Sequence, residues 1–186
     1  IEALHKGERA INIPSPKIDN YALVPAMSAE IIRDEVLANI KKIKESGEKF
    51  ILINFANPDM LGHTGDYKAT VQGNEIVDSL TAEIAKATLS MGGATIITAD
   101  HGNCESMINR VTKEVDIAHT NNPVPMVILT EEDEIHLKPG NQIQKIGTGP
   151  DAKATGLLAD VAPTCIGLLG LEVPDSMTGV DLRTVL

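Results

Sequence analysis

The run Phe50-Ile51-Leu52-Ile53-Asn54-Phe55 constrains the fold more than any other feature of this sequence. It is almost wholly apolar, with charge before it and Asn57-Pro58 after it. Apolar residues at successive positions suit a strand covered on both faces, and such strands belong to parallel sheets flanked by helices. The neighbouring sequence supplies those helices. From Ser28 to Ser46, Ile32, Val36, Leu37, Ile40 and Ile43 recur at helical spacing, with Ser28 as N-cap and Gly47 as stop. A second amphipathic helix is expected from about Thr70 to Ser90, with Ile76, Leu80, Ile84 and Ala87 on one face and Gly92-Gly93 beyond its end. Further strands are expected at Ala94 to Thr98 and Pro125 to Thr130, and a short one at Arg9 to Ile13, ended by Pro14-Ser15-Pro16. Glu131 to Glu134 and the Pro139-Gly140 turn read as a peripheral excursion. Asp160 is placed to cap a last helix, with Pro163 in its first turn and Gly170 after it. Strand and helix alternate, which predicts an α/β fold with a mostly parallel sheet flanked by helices.

Composition narrows the function. With 186 residues and 42% apolar content, the chain can bury one substantial core. A net charge of -10, from 16 basic and 26 acidic residues, repels a phosphate backbone. Aromatic residues, 2% of the chain, offer no platform for stacking bases, so nucleic acid is excluded as a partner. No apolar run approaches the ~18 residues that cross a bilayer, so no membrane segment is expected. Cys104 and Cys165 stand far apart, which suits a reducing compartment and predicts a cytoplasmic protein.

The chemistry-bearing residues gather where α/β sheets bind ligands, in loops near strand ends. After Phe55 come Asp59 and His63, after Thr98 come Asp100 and His101, and shortly before Pro125 comes His119. A carboxylate gives a hard oxygen and a neutral imidazole a nitrogen of intermediate softness, a mixture better suited to Mn or Zn than to Ca or Mg. For any one pair, turn and cap chemistry explains Asp and His as well as a metal does. Taken together, the three loops favour a metal. Pro58 and Gly62 argue against a regular helix between Asp59 and His63, so a turn is expected to aim both at one ion. Cys104 reads equally as a thiolate for a metal or as a small packing residue and is assigned no role, His5 and His136 read as linker or surface residues, and Asp66 and Asp116 as neighbours of the ligands.

Four segments carry a family resemblance: Pro14-Ser15-Pro16-Lys17, Asn54 to Gly65, Thr98-Ala99-Asp100-His101-Gly102-Asn103, and Ala118-His119-Thr120-Asn121-Asn122-Pro123-Val124-Pro125. With them, nearly the whole chain resembles cofactor-independent (2,3-bisphosphoglycerate-independent) phosphoglycerate mutase. A fifth segment, Leu158 to Thr164, resembles a closing helix shared across the alkaline phosphatase superfamily. The resemblance implies an alkaline-phosphatase-like domain that binds two Mn ions. Asp59, His63 and His119 match the ligands of one ion, Asp100 and His101 match ligands of the other, and Lys17 matches the lysine that steadies the transferring phosphoryl group. It further implies interconversion of 3- and 2-phosphoglycerate, in glycolysis and gluconeogenesis, through a phosphoserine.

The family's nucleophilic serine, a further aspartate ligand and the arginine-bearing transferase domain have no matching segment here. Residues 1–186 are therefore expected to be the C-terminal portion of the phosphatase-like domain, incomplete at its N-terminal side, with residues 1–8 ending an inter-domain linker. By itself this portion is expected to be inactive, to hold one ion better than two, and to self-associate through an unpaired sheet edge. The alternatives are another metal-dependent superfamily member, such as a phosphopentomutase or phosphatase, and a non-catalytic α/β interaction module.

Overall fold

The computed structural model of the chain describes residues 6–46, 50–130 and 153–184. The elements run α1 (Ala29–Ser46), α2 (Asn57–Gly62), α3 (Tyr67–Leu89), β1 (Thr95–Thr98), β2 (Met126–Leu129) and α4 (Val161–Leu168), with short 3-10 turns between them. Among the described residues no helix is long and apolar enough to cross a membrane.

Both long helices form where the helical periodicity places them. In α1, Val36 and Ile40 turn inward against Ile84 of α3, and Ile32, Leu37, Ile51, Ile53, Phe55 and Ala87 pack around this centre. The Arg33 guanidinium spans the two helices to Glu83 at 2.5 Å. α3 begins ahead of the expected Thr70, because the Asp66 carboxylate accepts the Ala69 N–H at 2.9 Å and caps the helix. Asp66, read as a mere neighbour of the ligands, is thus an N-cap. Ser28 spends its hydroxyl differently from the expected cap, donating to the Pro14 carbonyl at 2.8 Å and tying the proline loop to the start of α1. The Gly47 stop and the 131–140 excursion lie outside the described residues, as do His5 and His136.

Two expected strands are not strands. Arg9 to Ile13 is irregular. Phe50 to Phe55 is chain without a ladder partner among the described residues. Its burial alternates: Ile51, Ile53 and Phe55 face the helical core, while Phe50 and Leu52 stand 56% and 85% exposed. The strand period of two is present, but only one face is covered.

The described sheet is a single antiparallel pair, with Thr95 opposite Leu129 and Thr98 opposite Met126, where a parallel setting was expected. The reason lies in the connection. Ala99 to Pro125 leaves and re-enters at the same end of the strands, which forces opposite directions. An isolated antiparallel bridge between Gly102 and Thr120 carries the pairing past the strand ends. The α/β class itself stands.

The closing segment packs on itself. Asp160 ends a 3-10 turn and does not cap α4 with its side chain; its carboxylate accepts Leu157 N–H at 2.7 Å and Val180 N–H at 2.9 Å. Fully buried Thr164 donates to the Asp160 carbonyl at 2.7 Å and accepts Leu182 N–H at 3.0 Å. Asp160 thus holds the segment as a staple between Leu157 and Val180 rather than as the expected side-chain cap.

Candidate metal centre

The segment expected to be a turn, Asn57–Gly62, is the helix α2. Pro58 sits in its first turn, where the missing N–H goes unneeded, so the proline starts the helix instead of breaking it. Buried Asn57 fixes that start by donating to the Pro25 and Ala26 carbonyls at 2.8 and 2.9 Å. At the other end Gly62 lies so close to the Asn103 side chain that a Cβ would not fit. Asp59 and His63, four residues apart, therefore share one face, and His63 Nε2 lies 3.2 Å from Asp59 Oδ1.

The loop between β1 and β2 brings the other histidines to the same place. Thr120 N–H donates to the Gly102 carbonyl at 2.7 Å, which sets the residues before each, His101 and His119, side by side. Their rings stack with centroids 3.8 Å apart and planes 18° apart. His119 Nε2 lies 2.9 Å from Asp59 Oδ1 and 2.9 Å from His63 Nε2, and His101 Nε2 lies 4.0 Å from the same carboxylate oxygen. Asp59, His101 and His119 each turn a donor atom into a space where all lie within 4.8 Å of one another.

This donor set fits a divalent cation. At a bond length of ~2.1 Å, ligand atoms of a tetrahedral shell stand about 3.4 Å apart, and the separations here, from 2.9 to 4.0 Å, bracket that value. His63 Nε2 and His119 Nε2 face each other at 2.9 Å while both also face Asp59 Oδ1, and a cation among them would give each inward nitrogen a partner. His101 turns Nε2 towards Asp59 and Asp100, and its Nδ1 is buried without a hydrogen-bond partner. One shell of oxygen and nitrogen donors on a rigid helix and two joined loops is suited to binding a metal and aligning an oxygen ligand on it.

Asp100 and Lys17 are placed differently. Asp100 stands at the rim, 83% exposed, with Oδ1 3.6 Å from His101 Nε2. Lys17 is exposed on the loop after Pro16, with no ion pair among the described residues. The chain just beyond it, Asp19 to Tyr21, joins Met60, His63 and Thr64 around a hollow of about 480 Å³. The hollow opens beside the imidazole cluster.

Glu105 was missed by the sequence reading. It accepts hydrogen bonds from Thr120 Oγ1, from Asn122 Nδ2 at 2.8 Å and from the Asn103 N–H at 2.6 Å. Burial pushes its carboxyl up, but the bonds from Thr120, Asn122 and the backbone outweigh burial and leave it below the usual carboxylate range. Asn57 and Asn103 were quoted only as parts of motifs. Their spacing gave no sign of their side-chain roles, Asn57 on the Pro25 and Ala26 carbonyls and Asn103 on the Ile117 carbonyl, which depend on chain distant in sequence.

A carboxylate and clustered imidazoles at the loop end of an α/β frame suit a metal-binding domain. The family model of the metalloenzyme superfamily matches residues 1–173, and the chain belongs to that superfamily. It is 42% identical over 184 residues to 2,3-bisphosphoglycerate-independent phosphoglycerate mutase of Vesicomyosocius okutanii, covering 99% of this chain and 33% of that protein. It is 40% identical over 182 residues to the protein of the same name from Clostridioides difficile, covering 98% of this chain and 32% of that one. Among solved structures, Leishmania mexicana phosphoglycerate mutase at low cobalt concentration superimposes with a TM-score of 0.69 and 33% identity, over 90% of this chain and 30% of that one. The alkaline-phosphatase-like class expected from the sequence holds. The chain spans about a third of the length of the curated relatives it matches.

Proposed function

We propose that this chain is the metal-binding part of a 2,3-bisphosphoglycerate-independent phosphoglycerate mutase, and that the full protein interconverts 3- and 2-phosphoglycerate through a phosphoserine. The observation that carries the reading is the convergence of Asp59, His63, His101 and His119 on one point, in a chain that aligns with such mutases along 99% of its length. Residues 1–186 make up the C-terminal portion of the phosphatase-like domain, with residues 1–8 leading in from a linker. The two free thiols accord with a cytoplasmic setting.

Asp59, His63 and His119 would hold one manganese ion in this reading, and His101, whose Nε2 lies 3.6 Å from Asp100 and 4.0 Å from Asp59, would with Asp100 serve a second beside it. Bound metal would supply the positive charge that lowers the pKa of a nucleophilic hydroxyl and offsets charge on phosphoryl oxygens. The chain's own residues orient and bind. α2 holds Asp59 and His63 at a fixed spacing, and the paired loops hold His101 against His119. Lys17, on its proline-stiffened loop, pairs with the phosphoryl group. Arg33 and Arg183 are engaged with Glu83 and Asp181, so they bring no charge to the substrate. Further charge comes from the transferase domain and the serine-bearing segment of the full protein, whose neighbouring strands, or a second copy, would pair along Phe50 to Phe55.

Calorimetric titration of Mn2+ into the wild type and His119→Ala tests the site. One ion is expected to bind more tightly than a second, and His119→Ala is expected to weaken that ion by more than the ~10–100-fold typical of an outer-shell change. Unchanged binding in the variant would remove the proposed ligand set. The full-length protein should turn over phosphoglycerate and not a phosphopentose, while residues 1–186 alone should turn over neither.

A further inference from the structure

We propose that Glu105 is a positioning residue that latches the His101 loop to the His119 loop and so sets the spacing of the two imidazoles at the metal centre. The inference rests on the metal reading of that centre. Among the described residues no hydrogen bond or ion pair joins Glu105 to any of the four clustered donors. It lies in the 3-10 turn Cys104–Ser106 that follows the His101 loop, and its carboxylate is filled from both sides. Oε2 accepts the Asn103 N–H at 2.6 Å, two residues after His101. Oε1 accepts the hydroxyl of Thr120, next to His119, and the Asn122 amide at 2.8 Å. A single carboxylate thus clamps both loops just outside the stacked rings.

The surroundings are built for this latch. Gly102 lies where the loops cross, and a Cβ there would collide with Thr120 Oγ1 and with the Glu105 carboxylate. The Thr120 N–H to Gly102 carbonyl bond, at 2.7 Å, closes the backbone side of the same crossing. Hydrogen bonds to a charged acceptor are roughly twice as strong as neutral ones. The three donors on Glu105 also specify an acceptor. Glutamine presents one acceptor oxygen and one donor NH2, so it must either face the Asn103 N–H with a donor or give up its place against Thr120 and Asn122. The β1–β2 ladder ends at Thr98 and Met126. Beyond it, the bridge, the latch and the Asn103 amide, which donates to the Ile117 carbonyl at 3.2 Å, fix the distance between the His101 and His119 backbones.

Co2+ alone is the probe, because its visible absorption reports coordination as well as occupancy. Full-length protein would be titrated as wild type, Glu105→Gln, Thr120→Val, the double variant and His119→Ala, with thermal unfolding of each metal-free form recorded alongside. Glu105→Gln is expected to weaken Co2+ about 10–100-fold and to shift its absorption bands. Thr120→Val should do the same to a smaller degree, and the double variant should be no weaker than Glu105→Gln, because both changes open one latch. Glutamine binding Co2+ with wild-type affinity and spectrum would overturn the proposal, as would strictly additive effects in the double variant. If Glu105→Gln fails to fold, Thr120→Val decides: a wild-type spectrum there overturns the latch. A wild-type response from His119→Ala would instead sink the metal reading itself, so the two failures are distinguishable.

Discussion

Gly73 and Leu61 form the contact that seats α2, and through it Asp59 and His63, against α3. Leu61 is wholly buried, and a Cβ on Gly73 would overlap its Cδ1 while approaching Cγ to 3.5 Å and the Pro25 carbonyl oxygen to 3.3 Å. Gly73→Ala brings two opposed effects. Helix propensity favours alanine in the middle of a helix by about 1 kcal/mol. Overpacking a filled core costs about 1–3 kcal/mol, and Leu61, with no open side to move into, should fall in the upper part of that range. The net is a loss of about 1–2 kcal/mol. Leu61→Ala should cost ~2–5 kcal/mol through lost burial and the cavity left behind. In that background the obstruction is gone and the alanine methyl enters the space, so Gly73→Ala should regain about 1 kcal/mol. The sign of the same substitution thus reverses, giving a coupling of about 2–3 kcal/mol between the two sites. Urea unfolding of the four proteins, followed by far-UV circular dichroism, measures it. Changes that add within ~0.5 kcal/mol, the usual limit for independent sites, would refute the claim that this contact seats α2.

Two other perturbations test what holds the frame. Asn57→Ala strips a buried side chain that serves two carbonyls. It should lose about 1–3 kcal/mol, a fall of roughly 2–4 °C in Tm per kcal/mol for a chain of this size; an unchanged Tm would contradict the anchoring role. Asp160 is held below its usual value by the Leu157 and Val180 N–H groups. Its contribution is therefore in place above the unfolded value, about 3.9, and is lost as pH falls through the lower folded value. Asp160→Asn should lower Tm at neutral pH and flatten the acid limb of a Tm-against-pH curve; an acid limb as steep as the wild type's would count against the staple.

Periodicity carried the long elements because it reports the face a segment buries. The α1 and α3 patterns were legible for that reason, and so were β1 and β2 as short apolar runs. Phe50 to Phe55 shows the limit of the same signal. Its sequence is apolar on both faces, which predicts a covered strand, but the described structure covers only the face bearing Ile51, Ile53 and Phe55. Sequence reports what a segment is able to bury, and burial also needs a neighbour on the other side. Proline was misread through context. Pro58 breaks a helix interior but is at home in a first turn, and the identity of Asn57 as the anchor that makes Pro58 a start depends on carbonyls more than thirty residues away.

The clustered donors were legible as residue types in loops, yet the way they are held divides between two kinds of support. Asp59 and His63 need only local geometry, since a helix places residues four apart on one face whatever surrounds it. His101 and His119 have no such rule. Their closeness follows from an antiparallel crossing at Gly102 and Thr120 and from the carboxylate of Glu105. A centre built this way should be stiff on the helix side and adjustable on the loop side. Changes to α2 should then act chiefly through stability, whereas changes around Glu105 should act on metal affinity with little effect on unfolding. The Gly73 and Glu105 substitutions, compared by both readouts, separate these two behaviours: equal ratios of affinity loss to stability loss would show that the helix and the loops move as one body.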